Sequence, residues 1–199
     1  MKGLIALASK SIIIAGVGGQ GTLFASRLLG RVLIDLGFDV KVSEVHGMSQ
    51  RGGGVVTFVK YGEKVASPVV DLGEADLILA FEPLEAARWI KHLNPEGEIV
   101  VNTRRILPMP VITGETTYPE DITGNIKKSG LKVTSIDASS LAEDAGSLKT
   151  VNVVLIGVIA AKTDFPEEAW INALKQTAQP KFFEMNLKAF EAGYNYIEK

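Results

Sequence analysis

The chain has 199 residues, 46% of them hydrophobic and 22% charged, and a formal charge of -2. A chain of this size buries roughly 70% of the surface it exposes when unfolded, so one core and a single domain over residues 1–199 are expected. Its Lys and Arg residues are scattered, which leaves no basic stripe for nucleic acid, and the absence of cysteine excludes disulfides, thiolate metal sites, a cysteine nucleophile and cysteine-held iron–sulfur clusters on this polypeptide.

The opening MKGLIALASK has one short apolar run, below the length of a secretory core. Near the other end, Val153 to Ala161 is the longest apolar stretch and falls far short of the ~20 residues that cross a bilayer. A cytoplasmic location is expected, with no membrane partner. Ser11 to Ala15 (SIIIA) is apolar at both parities, as in a parallel strand buried on both faces. Glycines follow, and from Thr22 the period changes: Phe24, Leu28, Val32 and Leu36, with Leu29 and Leu33 beside them, make the stripe of an amphipathic helix ended by Gly37. Phe38 to Glu44 reads as a second strand, which completes a βαβ unit.

Val55 to Lys60 reads as a strand, YGEK (61–64) as a hairpin turn, and Val65 to Val70 as an antiparallel return that makes the sheet mixed. Ala75 to Phe81 is another buried strand, and Pro83 suits the first turn of a helix running to His92. Glu98 to Asn102 gives the next strand. Positions 105 to 120 form an irregular, proline-containing excursion, and a helix is expected from Pro119 to Lys128. After a strand at Leu131 to Ile136, Asp137 is placed to cap the following helix. A very apolar helix from Asn152 to Ala161 and two amphipathic ones, 166–176 and 182–197, end the chain. The alternation implies an α/β, Rossmann-like layered domain: a mostly parallel, mixed sheet flanked by helices, with ligands at the carboxyl ends of strands.

GVGGQG places Gly16, Gly18 and Gly21 in the G-x-G-x-x-G spacing between a strand and a helix. Glycines allow a sharp turn and close approach of a phosphate, which the helix N-terminus attracts with unpaired N–H groups. The plain alternative is that these glycines only permit tight strand-to-helix packing, with no ligand bound. A dinucleotide fold wants an acidic residue about 20 positions on, and Glu44 qualifies loosely, so a free-standing dinucleotide-binding regulator or dehydrogenase-like protein is the alternative reading.

The stretch EVHGMSQRGGG (44–54) brings together Glu44, His46, Ser49, Gln50 and Arg51 ahead of consecutive glycines. If the second strand ends at Glu44, this loop and the glycine loop share one sheet edge. Arg51 suits a carboxylate or phosphate, and His46 proton transfer near neutral pH; a surface ion pair and a partly buried histidine are the plain alternatives. In FEPLEAAR, Glu82 and Glu85 read as a solvated or interface feature rather than an acid/base pair, while Arg104 and Arg105 lie just past a strand end.

GVGGQG, SEVHGMSQRGGGVV, SPVV, EADLILAFEPLEAAR, VNVVLIGVIAA and NLKAFEAGY, in that order, resemble the gamma-type component of 2-oxoacid:ferredoxin oxidoreductases, the small (beta) subunits of indolepyruvate-type members in particular. The resemblance implies a non-autonomous oxidoreductase subunit that completes the active site and coenzyme A placement while a 2-oxoacid is decarboxylated to an acyl-CoA and ferredoxin takes the electrons. It implies no cofactor on this chain alone, no metal ligands here, and thiamine diphosphate, magnesium and iron–sulfur clusters on a large partner subunit. Carried over by position, the residues for anion binding or close docking to the partner are Gly16, Gly18, Gly19, Gln20, Gly21, Thr22, Glu44, Gly47, Ser49, Gln50, Arg51, Gly52 and Asn152, with His46 as a proton-transfer group. The segment MKGLIALAS stands outside the family pattern.

Overall fold

The structure, a computed structural model, describes residues 9–46 and 53–196. Strand β1 (Lys10–Val17) leads into helix α1 (Thr22–Asp35), then β2 (Asp39–His46) and β3 (Gly54–Gly62). Next come β4 (Ala75–Ala80), α2 (Pro83–Trp89) with a tight turn at Ile90–His92, and β5 (Leu93–Asn102). The excursion holds one helical turn, α3 (Met109–Ile112), and leads to α4 (Ile122–Lys128), β6 (Lys132–Ile136) and α5 (Ala138–Asp144). Three helices finish the chain: α6 (Val151–Ala161), α7 (Glu167–Thr177) and α8 (Phe183–Tyr194).

The six strands are ordered β2-β3-β1-β4-β5-β6. β1, β4, β5 and β6 are parallel, whereas β3 runs antiparallel to both of its neighbours. The sheet is mixed as expected, but by a different route. No strand forms at 65–70: the antiparallel element is β3 itself, which folds back on β2 and slots between β2 and β1. With both edges of β3 occupied, the following segment has no edge to pair with there, and Pro68 removes one of its donors. Val65 N–H instead donates to Asp39 Oδ2 at 2.8 Å, and Val70 turns into the core. The βαβ unit is therefore parallel but not adjacent, since one strand separates β1 from β2.

The stripe of α1 buries Leu28, Leu29, Val32 and Leu33. After Leu36 the chain turns through Gly37 at φ 88°, where Gly37 N–H donates to Ile34 O and Phe38 N–H to Leu33 O, a left-handed closure that favours glycine. Two apolar clusters form, one on each face of the sheet. The larger joins α1, α5, α6, α7 and α8; the smaller gathers residues from the strands and from α2 and α4. Helix α6 is buried at every position from Val151 to Ala160, so it reads as a uniform apolar run and shows no stripe. Its contact with α8 is backbone on backbone: a Cβ on Gly193 would lie 1.9 Å from Val154 O, and one on Gly157 2.2 Å from Phe190 O. Helix α4 starts at Ile122, later than Pro119, because Asp121 caps it by accepting Gly124 N–H.

Candidate functional site

Helix α1 leaves β1 toward one face of the sheet and α2 leaves β4 toward the other, so neighbouring chain ends diverge at their carboxyl edge. A crevice at such a switch point is where open α/β sheets bind ligands. Here it is a cleft of about 540 Å³ whose lining includes Gly18 to Gly21, Arg104, Ser139 and Lys149. Two cations thus face the N-terminal end of α1.

The glycine loop is held from below. Val17 N–H donates to Gln20 Oε1 at 2.7 Å, and Gln20 Nε2 donates to Phe81 O at 3.1 Å, which ties the turn to the end of β4. Gly16 is closely packed, since a Cβ there would lie 2.8 Å from Thr22 Cγ2 and 3.1 Å from Phe81 Cβ. Gly21 is packed and strained for any other residue: φ is 84°, and a Cβ would lie 2.7 Å from Asn152 Nδ2. Gly19, at φ 97°, has nothing within 4 Å of the Cβ position and faces open space. No side chain among the described residues caps α1, so its first N–H groups lack that partner. The motif divides: Gly16 and Gly21 allow packing, while Gly18 and Gly19 line the cleft.

The expected residues divide by position. Gln20 lines the cleft and latches its floor. Thr22 is buried at the helix start. Asn152 is buried too, and its Nδ2 donates to Gly21 O at 3.3 Å, so it braces the glycine turn from below. Glu44 lies elsewhere. β3 sets β2 about 9–10 Å from β1, two strand spacings, and the Glu44 carboxylate accepts from Ser26 Oγ at 3.3 Å beside a separate groove with Arg27 and Gly30. An acidic residue that holds a ribose sits on the strand next to β1, so the dinucleotide alternative keeps the glycine spacing but loses Glu44.

His46 ends β2, paired with Val55; its side chain, Gly47, Ser49, Gln50, Arg51 and Gly52 lie outside the described residues. The far end of that segment is placed at the glycine rim. Gly54 faces Val17 across the β3–β1 pair, and Gly18 N–H donates to Gly53 O at 2.9 Å.

Glu82 and Glu85 are corrected: they are 1% and 3% exposed, not solvated. Glu82 caps α2, and its carboxylate also accepts from Tyr118 and Ile106. Burial pushes the Glu85 carboxyl up, against the pull of its partner Arg88. Of the two arginines past β5, Arg104 lines the cleft and Arg105 lies over the Tyr118 ring, 5.3 Å from its centroid.

Lys149 and Ser139 escaped the sequence reading because neither belongs to a motif. Ser139 follows the end of β6 by three residues, so the rule that ligands gather past strand ends was the available signal. Its buried Oγ has no hydrogen-bond partner among the described residues.

Fold and cleft together define a class: an α/β layered protein whose switch-point cleft is lined by a glycine loop, an arginine and a lysine. The chain belongs to the pyruvate ferredoxin/flavodoxin oxidoreductase family, whose model matches residues 11–196. It is 43% identical over 188 residues to the indolepyruvate oxidoreductase subunit IorB of Thermococcus kodakarensis, with 92% of this chain and 93% of that one covered. The fold is similar to that of the pyruvate oxidoreductase subunit PORC of Thermotoga maritima, with TM-score 0.72 and 20% identity over 94% of this chain and 95% of that one. It also recurs within the 2-oxoglutarate:ferredoxin oxidoreductase of Magnetococcus marinus, with TM-score 0.65 and 16% identity, where 96% of this chain covers 32% of the longer one.

Proposed function

We propose that this chain, as one domain, is the accessory subunit of a thiamine-diphosphate-dependent 2-oxoacid:ferredoxin oxidoreductase of indolepyruvate type, and that its cleft holds the diphosphate end of coenzyme A. The larger partner carries thiamine diphosphate, magnesium and the iron–sulfur clusters, the groups that decarboxylate the oxoacid and pass electrons to ferredoxin in the cytoplasm. A cysteine-free chain cannot ligate such clusters through thiolates. The fold of this small chain is also about a third of a longer oxidoreductase chain, which supports a role inside a larger assembly.

The observation that carries the reading is the convergence of Arg104 and Lys149 with Gly18 to Gly21 at an uncapped α1 terminus. Cations and oriented N–H groups bind phosphate oxygens through charge-assisted hydrogen bonds. The cleft orients the cosubstrate and leaves bond-making to the partner. His46, Ser49, Gln50, Arg51 and Gly52 are proposed as further binding residues, with His46 as a proton-transfer group.

Arg104→Ala or Lys149→Ala, in complex reconstituted with the large subunit, should raise the KM for coenzyme A about tenfold, the cost of one lost charge-assisted contact, with kcat nearly unchanged. The chain alone should reduce no ferredoxin. An unchanged KM in both variants, or full activity from the lone chain, refutes the reading.

A further inference from the structure

The excursion at 103–121 brings Arg104 and Ile106 to the cleft but contains a single turn of helix, so something else must hold it. One buried side chain does much of this. Glu82 Oε2 accepts from Leu84 N–H at 2.7 Å and Glu85 N–H at 3.2 Å, which satisfies the start of α2. Its second oxygen, Oε1, serves the excursion: it accepts from Ile106 N–H at 3.3 Å, 24 positions away, and from the Tyr118 hydroxyl, 36 positions away.

A helix cap needs only the first oxygen. The second joins both limbs of the excursion to the carboxyl end of β4, beside the latch from Gln20. Tyr118 is suited to the task, because burial and then the Glu82 carboxylate raise its pKa and keep its hydroxyl a donor. Its ring meets the Arg105 guanidinium, so the side chain next to Arg104 is fixed as well. On the other side of Arg104, Thr103 N–H donates to Ile136 O at 2.9 Å.

We propose that Glu82 and Tyr118 form a clamp that positions Arg104 for the anionic cosubstrate, which makes them positioning residues. This rests on the reading of the cleft as the coenzyme A diphosphate site. An amide at position 82 offers one acceptor oxygen where the carboxylate offers two, so a Gln that caps α2 leaves Ile106 N–H without its acceptor and can meet the Tyr118 hydroxyl only by donating to it.

Tyr118→Phe is the informative variant, because it leaves the Glu82 Oε2 cap on α2 and the bond from Ile106 in place and removes the tie from the hydroxyl. In the full chain, amide hydrogen exchange across 104–118 should quicken while the core strands stay protected. In the reconstituted complex, the KM for coenzyme A should rise about fivefold to tenfold with kcat within about twofold. In an Arg104→Ala background the same change should add almost nothing, since a group that acts through Arg104 has nothing left to position. Glu82→Gln should follow Tyr118→Phe in direction. Unchanged exchange, an unchanged KM beside an effective Arg104→Ala, or full additivity of the two substitutions each overturns the clamp alone. If Arg104→Ala alone is without effect on KM, the clamp's role in binding fails; if Lys149→Ala is without effect as well, the cleft reading fails with it.

Discussion

Gly193 and Gly19 place the same residue in opposite surroundings. At Gly193 a Cβ would sit 1.9 Å from Val154 O, inside the α6–α8 contact, whereas at Gly19 nothing lies within 4 Å. One glycine is fixed by matter that fills the space, the other faces space left open. Helix termini repeat the contrast: the start of α5 is closed by its own Asp137, and α1 has no side-chain cap among the described residues. The proposed coenzyme A site lies on the open side of this contrast, so the two sides should respond differently to the same added methyl.

The largest effect tests the filled side. Gly193→Ala must push α6 and α8 apart at their backbones, an overpacking of about 3 kcal/mol, or roughly 6–12 °C in Tm for a chain of this length. Calorimetry of the isolated chain reads it directly. Gly19→Ala adds a methyl to open space and strains only φ, at about 1–2 kcal/mol, roughly half the loss in Tm. The same methyl points into the cleft, so the KM for coenzyme A in the assembled enzyme should rise about tenfold, which Gly193→Ala in surviving folded protein should not produce. Equal Tm losses for the two would break the comparison.

The sequence could not tell these glycines apart, and the reason is physical. Local pattern reports which backbone angles and faces are permitted, so the strand before GVGGQG, the stripe of α1, the run of α6 and the Asp137 cap were all legible. What approaches a residue from a distant segment leaves no local trace. Gly157 and Gly193 meet only once α6 and α8 are docked, and nothing in NLKAFEAGY announces it. Glu82 looked solvated because glutamate usually is; its burial depends on donors 24 and 36 positions on. The strand at 65–70 failed for a related reason, since the hairpin drawn there was used one step earlier by β2 and β3. Glu44 kept its sequence distance from the glycine loop but not its spatial one, because a strand was inserted between them.

The smallest effect concerns the closed helix end. Asp137 accepts from Ser140 N–H at 3.1 Å and Ser140 Oγ at 2.7 Å, and the bond from that hydroxyl is the first cause holding its carboxyl below the ordinary range. A carboxylate whose pKa is lowered on folding contributes stability above its unfolded value, near 4, and that contribution is lost as pH falls through the lower folded value. Asp137→Ala should therefore cost about 1 kcal/mol at neutral pH, a typical cap, or roughly 2–4 °C. The gap from the parent chain should narrow on titration below about pH 4. Asp137→Asn keeps an acceptor for the helix without a titrating charge, so it should retain most of the stability and lose the narrowing. If the Asn variant narrows as the parent does, the proton is being taken up elsewhere and the α5 terminus is not held by its carboxylate charge.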